Sequence, residues 1–498
     1  MQHLFNLFRF LKYTFLFLFF NRENNESSLS NKNFIIVISP WNFSATPFFF
    51  IKLGNLLKEK NQKVIYLFDN IPYSISHRIN IFILKFVFSF LKISYKNIYD
   101  SSKINNNILN ANEYNLFLNI SYENYISTTR GYFNIKDFLK YKISFEYYSP
   151  IVIDSINEII IEYPNFNFII PGGSFGSSSL FTLLMKKNNT NYFTIDSGFS
   201  IISNCFKGIA SKNQNINEQN FTTYKKHFSE KEIVYVSDLI LQNRKFNTNI
   251  NLDHEKFQIN KFTGKEHFKD YFVLYLNTIW DSAAFVEGFL NLNYQESIKK
   301  VVEIFLKSCS NTLIIRIHPH ERNWWGKSNF NYKNLLNEFH LHFGERLIFI
   351  EPENDINSYD LLIRSNGNII WSSTIGLESI ILKKPTILIS NSYITSINSI
   401  QSHLISNTEE IILFFTQSDK YVCNDLSNLD ARLIYILTQK FTWLKTLFTP
   451  QAIDFLNWVK LQNNILLEDE SVKMLLNSLI NENNLTLECI KIKQESYL

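Results

Sequence analysis

Cysteine, glycine patterns, paired acids and long uncharged apolar runs are all scarce in this chain, and each scarcity excludes something. The four cysteines among 498 residues, Cys205, Cys309, Cys423 and Cys489, include no CxxC pair and no metal-ligand spacing. That points away from thiolate metal centres and disulfide frames and toward free thiols in a reducing compartment. The glycine cluster at 172–176 is not spaced as GxGxxG, so it is no dinucleotide fingerprint. No DxD stands out in a loop at a strand end, so catalysis by a metal held between paired acids is not indicated and no metal ligand is expected. A net charge of +4 over this length gives no basic stripe, which argues against a nucleic-acid partner while tolerating an anionic membrane surface. The apolar segment Leu4–Phe20 is broken by Arg9 and Lys12, leaving only the eight residues Tyr13–Phe20 uncharged. A spanning helix needs roughly 20. Asn21, Arg22, Glu23 and Asn24 follow where a signal peptide would show small residues. Residues 1–30 are therefore expected to form an interfacial helix or a helix docked on the protein, followed by a linker.

What is present is globular. Hydrophobic residues make up 45% and charged ones 19%, and the length suggests more than one core. The 47 phenylalanines and 25 tyrosines read as a background bias of composition. From residue 33 the chain shows β-α-β grammar. NFIIVISP is an apolar run that stops at a proline, then Thr46 as N-cap and Pro47 open a helix, and a second strand covers 63–68. The loop between them places Asn42, Ser44 and Thr46 at a strand's carboxyl end, a binding position or a simple cap. The stretch 75–165 reads as aromatic helices. Strand, Gly/Ser loop, helix and strand follow across 167–199, with Gly172, Gly173, Ser174, Gly176 and Ser177 in the loop. Asp196 is expected just after the next strand, with Gly198 giving a tight turn that holds its carboxylate at the sheet's edge as a general base, or as a cap.

The same grammar restarts near 265. DYFVLYLNTIWDSAAF gives strand, loop and helix, with Asn277, Thr278, Trp280 and Asp281 in the loop. LIIRIHPHE carries Arg316, His318 and Pro319 off a strand end. NIIWSSTIGLESIILKKPTILI puts Ser372, Ser373 and Thr374 at the start of a helix. In an open parallel sheet ligands bind outside the carboxyl ends of strands, and helix N-termini there offer free N–H groups to anions. Alternating helices and strands with short connections predict parallel sheets covered on both faces. The expected fold is α/β: two doubly wound Rossmann-type domains, 31–265 and 266–430, facing across a cleft, with C-terminal helices 431–498 packing across them. Trp443 and Trp458 are expected in that packing, and Trp280, Trp324 and Trp325 in a core or as sugar platforms.

LYLNTIWDSAAF, RIHPHE, SYDLLIRS and WSSTIGLESIILKKP, in this order, resemble the capsule polysaccharide biosynthesis proteins, GT-B glycosyltransferases related to bacterial Kdo transferases. The paired His-Pro and Ser-Ser-Thr motifs are also similar to those of CMP-sialic acid transferases. The resemblance is best over 270–395, with FSATPFF, VIYLFDN and IDSGF supporting it earlier. It implies a GT-B-like frame and a cofactor-free transfer of a sugar, favoured as a CMP-activated acid such as Kdo, to a surface-polysaccharide or lipid-linked acceptor. It implies a donor site of Arg316, His318, Pro319, Ser372, Ser373, Thr374, Glu378, Asn277 and Asp281, in which Arg316 either joins the phosphate or braces the loop and Glu378 suits a ribose. It implies Asp196 as base, while the strand-end loops themselves make Ser44, Thr46, Gly173, Ser174 and Gly198 the candidates for the acceptor side. The chain departs from the pattern in Asp196-Ser197, in Lys383-Lys384-Pro385 and in the extra His320. A CDP-glycerol-type glycerophosphotransferase, a nucleotide-sugar epimerase and a non-catalytic assembly protein stay open on the same frame. A cytoplasmic location, peripheral to the membrane's inner face, follows from the lipid-linked reading.

Overall fold

Apolar runs that end in polar residues become strands, and their order in the sheets decides where a ligand could bind. The computed structural model describes residues 2–21, 32–40, 44–71, 75–99, 111–246, 268–323, 326–354 and 356–497. Asn42, Trp324 and Trp325 lie outside the described residues. Two compact units emerge, the first from 1–124, 134–215 and 440–498, the second from 125–133 and 216–439.

The first unit's sheet contains β1 (Asn33–Ile38), β2 (Lys63–Phe68), β3 (Tyr95–Asn97), β4 (Asn167–Pro171), β5 (Tyr192–Gly198), β6 (Ile201–Phe206) and, from far along the chain, β12 (Leu444–Lys445). Their spatial order is β12-β6-β5-β4-β1-β2-β3. The five strands from β5 to β3 are parallel, and β6 and β12 join antiparallel. Because the chain leaves β1 toward β2 and later resumes on its other side at β4, the order reverses between β1 and β4. That is the switch point where such sheets open a crevice. One face of the sheet, with Ile35, Val37, Phe168 and Ile170, packs on Leu180, Phe181 and Leu184 of helix Ser177–Lys187 and on Val152 and Ile156 of helix Ile135–Glu162. Fully burying each of these side chains is worth about 1.5–3 kcal/mol.

Three further helices frame this unit's N-terminal part, α1 (Gln2–Phe20), α2 (Thr46–Glu59) and α3 (Ile75–Phe90). Thr46 is the first residue of α2 rather than its cap. Ala45 occupies the cap position, and the Ser44 hydroxyl accepts from the Thr46 N–H at 3.3 Å. Among the described residues no helix is long and apolar enough to cross a membrane.

The second unit holds β7 (Tyr271–Tyr275), β8 (Thr312–Arg316), β9 (Leu347–Ile350), β10 (Gly367–Ile370) and β11 (Thr386–Leu388). They form an all-parallel sheet in the order β11-β10-β7-β8-β9, whose switch point lies between β7 and β10. Helix Tyr294–Ser308 starts on a capping box in which Asn293 and Glu296 satisfy each other's backbone N–H groups. The helix expected directly after β7 is only a short 3-10 turn, Ser282–Ala284. Both units are thus Rossmann-like, the α/β class expected.

The division of the chain differs from the expected change near 265. Arg432 donates to Ser237 Oγ at 2.7 Å and to Asp238 at 2.5 Å. Lys225 pairs with Asp430 at 2.6 Å. These contacts bind helices Glu218–Lys225 and Glu230–Phe246 to helix Asp425–Ile436, so the main stretch of the second unit starts at 216. Of the expected C-terminal helices, 440–498 belongs to the first unit. Trp458 is fully buried there against the rings of Phe49, Phe448 and Phe455, while Trp443 is half-buried.

Candidate functional site

Three motif loops leave the carboxyl ends of three adjacent strands in the second unit. β10, β7 and β8 are neighbours in register, with Ile370 beside Tyr275 and Tyr275 beside Arg316. The strand ends carrying the Ser-Ser-Thr and His-Pro motifs are therefore two strand spacings apart, about 10 Å. Across the switch point Asn277 Nδ2 donates to Ser372 Oγ at 3.2 Å. Asn277 is clamped by its backbone: Tyr294 Oη accepts its N–H at 2.8 Å, and Tyr332 Oη donates to its carbonyl at 2.8 Å. Its Oδ1 is buried without a hydrogen-bond partner, an acceptor that a buried amide does not leave idle without cost.

The Ser-Ser-Thr residues divide. Ser372 is buried and donates to the Ala283 carbonyl at 2.8 Å, beside Trp371 Nε1, which donates to the same oxygen at 3.0 Å. It holds the 282–284 turn in place. Ser373 and Thr374 are half-buried at the start of helix Ile375–Ile381, and Thr374 makes no side-chain cap. Their hydroxyls are the part of the loop left for a ligand.

His318 caps the 3-10 turn Pro319–Arg322, its Nδ1 accepting the His320 N–H at 3.1 Å. That assignment places a neutral ring's proton on Nε2, which is then a donor. Pro319, buried at the first position of that turn, has no N–H to satisfy.

Other expected donor residues are occupied by the protein itself. Arg316 is buried and donates to the Glu351 carbonyl at 2.7 Å and to Ser358 Oγ at 3.3 Å; burial lowers its pKa to about 10. Of the two roles left open, bracing the loop is the one its contacts fit. Glu378 is buried, accepts from Tyr359 at 3.0 Å and Tyr435 at 2.9 Å, and pairs with Arg244 at 2.9 Å. Its carboxylate knits helices together instead of presenting a bare face. Asp281 caps its own turn, accepting from Ser282 Oγ at 3.2 Å and the Ala283 N–H at 3.4 Å. Trp280 is no buried core ring: its Nε1 donates to the Gly326 carbonyl at 3.2 Å, and the Arg130 guanidinium lies 4.7 Å from its ring centre.

Sequence reading missed Glu321, the last residue of HPHE. Only 6% exposed, it accepts from Ser328 Oγ at 2.5 Å through Oε2, while Oε1 is buried without a partner. Burial pushes its pKa up to about 7; the Ser328 hydrogen bond opposes the shift, and the charges of Glu353 and Glu351 add to it. The turn packs tightly here, because any side chain at Gly326 would collide with the carbonyl and ring of His320. An acid immediately behind a His-Pro turn was visible in the sequence; its burial was not.

In the first unit Asp196 lies within β5, opposite Ser203 of the antiparallel β6, and is half-buried. It is not on a loop after the strand, because the chain hairpins back. The left-handed residue of that hairpin is Ser200 (φ 54°), not Gly198, and the Ser200 N–H donates to Asp454 at 2.8 Å. Gly173 has φ 80°, and an added Cβ would meet Thr194. Ser174 Oγ lies 2.6 Å from Ser211 Oγ, and the Gly176 N–H donates to Asn124 at 2.8 Å. This loop is closed by its own packing. Asp69, directly after β2 in VIYLFDN, was passed over. It is 4% exposed, accepts from Ser177 Oγ, and also accepts from the Ile71 N–H at 3.4 Å. Burial raises its pKa to about 6 against those hydrogen bonds.

Among the described residues no group of three His, Cys, Asp or Glu side chains is placed to hold a metal ion. No curated protein matches the chain. Solved structures similar to it include a UDP-GlcNAc 2-epimerase from Neisseria meningitidis bound to UDP-GlcNAc, 13% identical over 82% of this chain and 99% of that one, TM-score 0.25. The Thermosulfurimonas dismutans KpsC beta Kdo 2,7 transferase is 12% identical over 61% of this chain and 89% of that one, TM-score 0.33. A glycosyltransferase from Rickettsia africae is 12% identical over 91% and 99%, TM-score 0.26. Likenesses so slight carry no argument about substrate. The family of capsule polysaccharide biosynthesis proteins matches residues 201–408, a span that includes the Asn277, His318 and Ser-Ser-Thr loops, so over that stretch the chain is similar to capsule polysaccharide biosynthesis proteins, as its motifs indicated.

Proposed function

We propose that the chain is a metal-independent glycosyltransferase of surface-polysaccharide synthesis, taking a sugar from a nucleotide donor, with a CMP-linked acid such as Kdo favoured. The observation that carries this reading is the convergence of His318, Ser373, Thr374 and the orphan Asn277 Oδ1 at three adjacent strand ends flanking one switch point, inside the span that matches the family. An anionic donor phosphate would receive the His318 Nε2–H and the two hydroxyls. In the transfer the bond from the anomeric carbon to the phosphate oxygen breaks, leaving its electron pair on the nucleotide. The acceptor oxygen bonds to that carbon, and its proton passes to a carboxylate base, the role proposed from the sequence for Asp196. Donors fixed before the reaction stabilise the leaving phosphate without reorganising. Ser372 and Arg316 act by holding the loops, and the proposed roles of Asp281 and Glu378 are likewise to position rather than to contact. No cofactor enters this scheme.

The test is a thermal-shift series with CMP, CDP, UDP and GDP on the wild type and on His318→Ala. A CMP-selective rise in Tm that the variant loses supports the donor site and the donor. A selective rise with another nucleotide keeps the transferase and changes the donor, and no rise with any of them overturns the reading. Product analysis with the donor so identified separates sugar transfer from glycerophosphate transfer and from epimerisation, the last of which proceeds without an acceptor. The acceptor is proposed to be a glycan or a lipid-linked glycan at the inner face of the membrane.

A further inference from the structure

Two helices of the first unit turn more aromatic surface outward than their own packing needs. α1 buries Phe10, Tyr13 and Phe17, with Phe10 and Phe17 against Phe48 and Tyr13 against Phe455. Its other side exposes Phe8, Leu11, Phe15 and Phe19, with Phe8 and Phe15 each 69% exposed. α3 buries Leu84, Val87 and Phe88 and exposes Ile79, Phe82, Phe86 and Phe90, with Phe82 at 75%. In each helix the exposed positions recur every three or four residues, which places them along one stripe. The two helices touch. Since both inner faces are already packed, the outer stripes are surplus to this unit's core, and clusters of that size mark contact with something else.

The charges say what kind of thing. No Asp or Glu occurs from Gln2 to Phe20 or from Ile75 to Asn97. Lys12, Arg78 and Lys85 are exposed beside the stripes, and no ion pair among the described residues engages them. Helix Ile135–Glu162 offers a contrast within the same unit. It also exposes Ile135, Leu139, Ile143 and Tyr147, but it carries five acids to three cations, and two of those cations are answered, Lys140 by Asp137 and Lys142 by Glu146. Phenylalanine stripes edged by unanswered cations suit the boundary between anionic headgroups and acyl chains, where the apolar face sinks and the cations meet phosphate. We propose that α1 and α3 together form a docking surface for an anionic lipid bilayer, on which the protein lies without crossing it. This deepens the proposed function by naming where a lipid-linked acceptor is met, and rests on that reading only for the acceptor.

The experiment is co-sedimentation of the full-length protein with vesicles of equimolar phosphatidylglycerol and phosphatidylcholine, with vesicles of phosphatidylcholine alone, and without vesicles. The wild type is expected to sediment with the anionic vesicles, and less so as salt rises. Phe82→Ser/Phe86→Ser, at exposed positions outside the core, is expected to weaken this at least about tenfold, and Arg78→Glu/Lys85→Glu to abolish the preference for anionic lipid. A wild type that stays in solution, or variants that bind as well as it does, would overturn the proposal. So would a lipid-indifferent dimer that the same substitutions disperse. Retained nucleotide-induced thermal shifts in the variants would show that their fold is intact. Vesicle binding by a protein that answers to no nucleotide would refute the donor reading and leave the docking surface standing.

Discussion

The two switch points contain the same kinds of part in different states of completion. Between β1 and β4 a glycine-bearing loop is folded onto Thr194 and Ser211, and the nearby acid, Asp69, has hydrogen bonds to both oxygens. Between β7 and β10 the loop leaves Ser373 and Thr374 uncapped and Asn277 keeps one buried oxygen unanswered, as does Glu321 in the turn after the neighbouring β8. Buried polar atoms are rarely orphaned unless a water, an ion or a ligand answers them. The difference is one of degree, since Ser178 Oγ beside the first switch point is also buried without a partner: the first commits its acid and its loop mostly to itself, whereas the second leaves two hydroxyls and two carboxyl or amide oxygens to hold something more.

The sharpest way to break that contrast is kinetic. His318→Ala is expected to lower kcat/KM by about a hundredfold to a thousandfold, the cost of one preorganised donor, with only the small fall in Tm that losing its cap on the His320 N–H brings. Asp69→Asn should change Tm more than activity. Equal losses of activity at unchanged Tm would erase the distinction. Next come the two acids. Each has a folded pKa above its ordinary value, so the folded state binds more protons between the two values and stability falls as pH rises through that window. For Glu321 the window runs from about pH 4.5 to about 7 and for Asp69 from about 3.8 to about 6, each worth on the order of 3 kcal/mol. Denaturant titrations across pH should lose the upper window in Glu321→Gln and the lower one in Asp69→Asn; superimposable curves for wild type and variants would refute both shifts. Arg316→Met should cost about 2 kcal/mol of stability by leaving the Glu351 carbonyl unanswered, while the nucleotide shift persists; loss of that shift in a folded variant would return Arg316 to the donor site. Smallest is Ser373→Ala, expected to weaken nucleotide binding by about 1 kcal/mol, read by calorimetry against Ser372→Ala, which should instead lower Tm.

Much of this was legible because β7 to β11 are continuous apolar runs ended by polar residues, and a parallel sheet buried on both faces needs little else to declare itself. His318 and the Ser-Ser-Thr loop stand next to such runs, so their place at strand ends could be read directly. What escaped depends on partners distant in sequence. Glu321 and Asp69 look like ordinary acids until Ser328 and Ser177 are seen against them. Arg316 looks like a phosphate ligand until Glu351 appears. β6 reads as a continuation of a tight turn, because nothing local says that a hairpin will reverse the chain beside Asp196. The unit boundary at 216 is set by Arg432 and Asp430, two hundred residues from their partners by order of magnitude, and no local pattern encodes that.

The seventh strand of the first sheet has a consequence for how the molecule comes into being. β12 pairs with β6, yet it is made about 240 residues later, roughly ten to fifty seconds of synthesis. Through that interval the buried Asn204 lacks Ser478 Oγ and the Leu485 N–H, which in the finished protein answer its amide at 2.7 Å and 2.6 Å. The edge of β6 waits open while residues 216–439 of the second unit are translated. A nascent chain with an unpaired strand edge is the form most exposed to mispairing with its neighbours on a polysome, so the order of synthesis makes the second unit's folding the clock against which the first must remain unfinished.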